Sequence, residues 1–130
     1  MKKIISVNKR IPFGGHLIEM ANIDSEYLIE LFGDPKSIGS GKSDWEWVLE
    51  YEDGELAYIY DWKVGKNYLG DDGWSLEEIT YWHIGGVSEM KKRISNLVSF
   101  LCSPDWAGFD DVKNKMIFSK EYLENRELQV

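Results

Sequence analysis

The sequence predicts an α+β fold in a single domain, residues 1–130. It has an antiparallel sheet of three to five strands packed on one long amphipathic helix, with one or two short helices beside it. Three observations predict it. Residues 45–51 and 56–62 alternate in character on either side of Asp53-Gly54, a strong signal for a tight hairpin turn. Met90, Ile94, Leu97, Val98 and Leu101 recur at helical spacing and form one apolar stripe. The chain has 130 residues and 43% hydrophobic content, which suffices for one core and matches a globular chain rather than a disordered one.

Residues 3–7 read as a short strand, followed by a turn at Pro12, Gly14 and Gly15. Residues 16–20 read as a second strand. Asp24 or Ser25 starts a helix with Glu26 in its first turn, where the helix dipole favours acid. Tyr27, Leu28, Leu31 and Phe32 share its apolar face. Gly33 stops it and Pro35 prevents its continuation. Residues 36–43 are a polar loop. In the hairpin, Trp45, Trp47, Leu49 and Tyr51 face one way on the first strand, and Leu56, Tyr58, Tyr60 and Trp62 share a face on the second. Both aromatic faces are expected to point into the core. Residues 63–75 are a turn-rich connection, residues 78–84 a third strand ended by Gly85-Gly86, and Ser88 caps a helix running to Cys102. Ser103-Pro104 ends that helix, and Ser119 opens a last short helix through Leu123.

The charge is unevenly placed. Between residues 44 and 78 lie eleven carboxylates and two lysines, a net charge of −9 against −8 for the whole chain. The same window holds Trp45, Trp47, Trp62 and Trp74 with four tyrosines. A pI near 4.7 argues against direct nucleic-acid binding and against adhesion to an anionic membrane. The single cysteine, Cys102, excludes an internal disulfide and a multi-cysteine metal site. As a small residue after an apolar helix face, it is expected to be buried or half-buried. The N-terminal apolar stretch is interrupted by Lys9 and Arg10 before it can serve as a signal peptide, so a cytoplasmic location is expected.

The motifs that carry chemistry are weak. Gly39-Ser40-Gly41-Lys42-Ser43 resembles the end of a phosphate-binding loop, but position 36 is Lys36 where the pattern needs glycine, and a strand rather than a helix follows. His83 and Asp61 would form an acid–base pair if the second and third strands paired, though no nucleophile accompanies them. Asp71-Asp72 with Asp61 and Glu77-Glu78 offers hard oxygen ligands, yet matches no calcium-loop spacing. No metal and no cofactor is expected. Lys91-Lys92-Arg93 and the N-terminal Lys2, Lys3, Lys9 and Arg10 read as solvated faces or as a small anion site.

The strings Phe32-Gly33-Asp34-Pro35, Ile59-Tyr60-Asp61-Trp62-Lys63 and Trp82-His83-Ile84-Gly85-Gly86 resemble a loosely defined set of small bacteriophage-encoded accessory proteins. The likeness runs from Tyr27 to Leu97 and brings no catalytic residues with it. It implies a phage protein acting in the host cytoplasm, and many such proteins inhibit host defence by binding, as certain acidic anti-CRISPR proteins do. The expectation is therefore a non-enzymatic acidic inhibitor that occupies a basic surface of a nucleic-acid-handling defence enzyme. Its partner-binding residues would be Asp44, Glu46, Glu50, Glu52, Asp53, Glu55, Asp71, Asp72 and Trp74. The alternatives are a toxin-neutralising immunity protein, a sponge for a small nucleotide signal, and a small enzyme using His83 and Asp61.

Overall fold

The computed structural model describes residues 4–102. The expected helix at Ser119–Leu123, the chain end after Pro104 and the basic Lys2 and Lys3 lie outside them. The elements are β1 (Ile4–Val7), β2 (His16–Asn22), α1 (Ser25–Phe32), β3 (Lys36–Ser37), β4 (Trp45–Tyr51), β5 (Leu56–Tyr60), α2 (Lys66–Leu69), β6 (Tyr81–Gly86) and α3 (Lys91–Leu101), with 3-10 turns at Gly70–Asp72, Leu76–Glu78 and Ser88–Met90. All six strands form one antiparallel sheet. Its five-strand path runs β1-β4-β5-β6-β2, and the two-residue β3 continues the cover along the same edge of β4 as β1. The fold class is the expected one.

One face of the sheet carries α1 and α3. Trp47, Leu49 and Tyr51 from β4, Ala57 and Ile59 from β5, and Trp82 and Ile84 from β6 meet Leu28, Leu31 and Phe32 of α1 and Ile94, Leu97 and Leu101 of α3 there. The Trp47 and Trp82 rings cross edge-to-face at 5.1 Å. Their indole N–H groups hold the two ends of α1: Trp82 donates to the Ile23 carbonyl before it, and Trp47 to the Gly33 carbonyl after it. Helix α1 is only eight residues long, and isolated helices of that length are marginal. Its stability therefore comes from this packing. The Asp24 and Ser88 side chains do not cap their helices. Ser25 is buried instead, with its hydroxyl donating to the Leu76 and Ile79 carbonyls.

The hairpin departs from expectation in one decisive respect. A two-residue turn centred on Asp53-Gly54 would set Tyr51 opposite Leu56 and place both aromatic faces together. Instead the Gly54 N–H donates to the Tyr51 carbonyl and the Tyr51 N–H to the Glu55 carbonyl. Gly54 sits at φ +87°, a region open to glycine at little cost. The loop thus spends three residues, Glu52 to Gly54, and Glu50 pairs with Leu56. A shift of one residue turns a strand over. Trp47 lies opposite Ile59 on the helix side, while Tyr58 and Tyr60 lie opposite Val48 and Glu46 on the far side. The aromatic face of β5 is therefore not part of the main core. Val48, Leu56 and Tyr58 form a separate buried cluster there, with Tyr60 packed against it.

Gly85-Gly86 forms the last two residues of β6 rather than following it, since both are paired with β2. A Cβ on Gly85 would stand 2.8 Å from the His16 carbonyl oxygen of β2, so the close strand approach requires glycine. No helix among the described residues is long and apolar enough to cross a membrane. Cys102 is exposed at the end of α3, not buried.

Tyr51 tests the packing. Its ring is buried under the Arg93 guanidinium at 4.7 Å, and its hydroxyl has no hydrogen-bond partner among the described residues. Tyr51→Phe removes that oxygen and is expected to leave stability unchanged or raise it by up to about 1 kcal/mol, read as the shift in urea midpoint. A clear loss of stability would contradict this packing.

Candidate functional site

The far face of the sheet is a graded row of side chains. Lys36, Glu46, Tyr60, His83 and Met20 are successive cross-strand partners over β3, β4, β5, β6 and β2. The next row is Val48, Tyr58, Gly85 and Leu17. The His83 ring meets Tyr60 at 5.6 Å and Tyr81 at 5.8 Å, and stacks on Trp62 at 6.2 Å. Burial pushes the imidazole down from its ordinary value, which favours a neutral ring near pH 7. Above this face runs the turn after β1. The Tyr58 hydroxyl accepts from the Phe13 N–H and donates to the Phe13 carbonyl, fixing that turn. Pro12 to His16 then roof a cleft of about 230 Å³, walled by Glu46, Tyr58, Tyr60 and Gly85.

Asp61 and His83 are not brought together. Asp61 follows Tyr60 and points to the opposite side, where its fully buried carboxylate accepts from the Asp44 and Trp45 N–H groups. The Gly39–Ser43 loop lies between β3 and β4 and leads into a strand. Its Lys42 ammonium sits over the Trp62 ring at 5.5 Å. No group of three or more His, Cys, Asp or Glu side chains is arranged to hold a metal among the described residues.

The nine residues expected to bind a partner divide among three places. Glu52, Asp53 and Glu55 are at the hairpin tip; Asp44, Asp71, Asp72 and Trp74 are at the other end of the sheet; Glu46 and Glu50 lie between them on the far face. The seven residues of β4 separate the two ends by about 20 Å at the usual strand rise. Several of the carboxylates are also committed internally. Asp53 pairs with Arg93 through two bonds of 3.1 and 3.0 Å, and Arg93 holds its carboxyl below the usual range. Glu50 takes the Ser6 hydroxyl at 2.8 Å and Arg10 at 2.7 Å, and these bonds lower its pKa. Asp44 accepts from the Lys66 and Asn67 N–H groups. Glu78 closes a capping box with Ser75, whose bonds lower its pKa. Among the described residues Glu52, Glu55, Asp71, Asp72 and Glu77 enter no ion pair.

What the carboxylates at the sheet end build is a fixed loop. Asp61 anchors the start of β4, and Asp44 then takes the first N–H groups of α2. Asn67 donates to the carbonyls of Ile38, Ser40 and Ser43 at 3.2, 3.0 and 2.9 Å. The Lys66 ammonium donates to the Gly73 carbonyl, and the Trp74 N–H to the Val64 carbonyl. On this frame Tyr68, Leu69 and Trp74 are 48%, 45% and 40% exposed. Sequence reasoning singled out Trp74 but missed Tyr68, Leu69 and the role of Asn67. An asparagine in a glycine-rich connection reads as a turn former until its three acceptors are seen.

Compared with known protein families and with curated proteins, the chain matches none.

Asn67→Ala deletes a donor that ties three carbonyls. It is expected to cost about 1–3 kcal/mol and to speed hydrogen exchange at the Leu69 and Trp74 amides. Exchange rates at the native level would contradict the frame. Asp61 gives a pH test. Burial pushes its carboxyl up, ahead of the opposing pull of the Trp45 and Asp44 N–H groups. A carboxyl raised on folding contributes most at low pH and loses that contribution as pH rises through the raised interval. The stability of the native chain relative to Asp61→Asn should therefore fall as pH rises above the ordinary carboxylate range. An advantage that grows with pH would contradict the assignment.

Proposed function

We propose that the chain is a non-enzymatic binding protein that docks on a basic surface of a protein partner through the end of the sheet formed by Tyr68, Leu69, Asp71, Asp72 and Trp74. One observation carries the reading: two carboxylates, an asparagine amide and a lysine are spent on holding an exposed loop still. A loop held this way presents large apolar side chains without the ordering cost that weakens flexible binders. Aromatic anchors beside charge are the common form of an interface hot spot. Residues 66–78 carry four carboxylates against one ammonium, which favours a cationic partner and a fast encounter. In this reading the contact is drawn at this end, and the split of the nine expected residues among three places supports that choice. The hairpin-tip and far-face carboxylates that pair with Arg93 and Arg10 support the fold.

The resemblance to phage accessory proteins supplies the setting for the proposal: a bacterial cytoplasm, and a nucleic-acid-handling defence enzyme whose basic groove the acidic loop would occupy. Immunity to a basic toxin uses the same surface chemistry. The test is capture of the partner from host cells with the tagged chain, against Trp74→Ala and Asp71→Lys/Asp72→Lys variants. The captured species is expected to be a basic nucleic-acid-handling protein, released by salt and lost about tenfold or more in each variant. Equal capture by all three chains, or a partner that is not basic, would overturn the reading.

A further inference from the structure

The cleft on the far face holds a half-buried carboxylate that no donor of the described residues meets. Glu46 lies directly opposite Tyr60 on β5 and lines the cleft under the Pro12–His16 roof. Among the described residues its carboxylate makes no hydrogen bond. Lys36, its neighbour on β3, acts on it through space without forming an ion pair. A half-buried carboxylate is partly desolvated, and a charged donor that pairs with it offsets that cost. The chain relieves the same cost elsewhere with guanidinium groups, at Glu50 by Arg10 and at Asp53 by Arg93.

The walls select the kind of donor. The Tyr60 ring borders the cleft, flanked by the His83 ring at 5.6 Å, and Tyr58 is fixed by its bonds to Phe13. Gly85 lines the cleft with backbone alone, since the space a Cβ would take is already filled by the His16 carbonyl at 2.8 Å, with the Tyr60 ring at 3.5 Å. A flat cation fits between a carboxylate and ring faces. A guanidinium is flat, has donors spaced for a carboxylate and loses water more readily than an ammonium. The chain already seats a guanidinium on a tyrosine ring at Tyr51, with a carboxylate beside it.

We infer that the Glu46–Tyr60 cleft is a receptor for an arginine side chain of the protein partner, with the guanidinium paired to Glu46 and lying against Tyr60. The inference rests on the reading that the partner is a basic protein, and it names the group that partner presents. The Trp62 ring stacks on His83 beside this cleft, with the Lys42 and Lys63 ammonium groups over it at 5.5 and 5.8 Å.

The test is titration of the full chain with arginine amide, followed by NMR shifts of the Gly85 amide and the Tyr58 and Tyr60 rings. Lysine amide and the neutral isostere citrulline amide serve as comparisons. Arginine amide is expected to bind the native chain at least about tenfold more tightly than it binds Glu46→Gln, and more tightly than either comparison binds the native chain. Tyr60→Leu should weaken binding while Tyr58 keeps its Phe13 bonds. No shift with arginine amide, equal binding of citrulline amide, or undiminished binding to Glu46→Gln would overturn the inference. The Trp74 and Asp71/Asp72 variants leave this cleft intact, so a failure here is separable from a failure of the docking loop.

Discussion

The register of β4 on β5 governs everything else. With Trp47 opposite Ile59, the bulk of β4 goes to the helices, and α1 is closed at both ends by indole N–H groups. The same register sends Tyr58 and Tyr60 away from the helices, toward Glu46, His83 and Gly85. Gly54 sets it by taking a positive φ and adding a third loop residue. One residue of turn thus decides whether this sheet has one aromatic face or two.

Two faces bring two kinds of chemistry. The helix side is an apolar core whose buried polar groups mostly meet backbone. The far side sets an ammonium, a carboxylate, a phenol, an imidazole and a thioether in one cross-strand row, with Trp62 beside the imidazole. The carboxylates at the Trp74 end of the sheet divide into those bound to backbone N–H groups and those that enter no ion pair among the described residues. Asp61 and Asp44 are bound to backbone N–H groups, whereas Asp71 and Asp72 stand on the frame they support.

Much of the fold was legible in the sequence. The hairpin, the Met90–Leu101 stripe and the short helix before Pro35 all follow from residue spacing, and each is present. Alternation fixes two faces within a strand but not which face of one strand joins which face of the next. That parity lies in the turn, and Asp53-Gly54 is compatible with loops of two and of three residues. Gly85-Gly86 misled for a related reason, since glycine marks both strand ends and close strand approaches. Linear charge density misled most. Eleven carboxylates in 35 residues read as one surface, but a hairpin sends chain neighbours to opposite ends of a sheet, and Arg10 and Arg93 come from distant segments to neutralise two of them.

The most direct test is the set of cross-strand NMR contacts in the hairpin. The account predicts contacts of the Trp47 ring with Ile59 and Ala57, and of Tyr60 with the Glu46 side chain. Contacts of Trp47 with Tyr60, or of Tyr51 with Leu56, would mean a two-residue turn and a single aromatic face. The cleft, its carboxylate and the surface proposed to meet a partner would then all be misplaced.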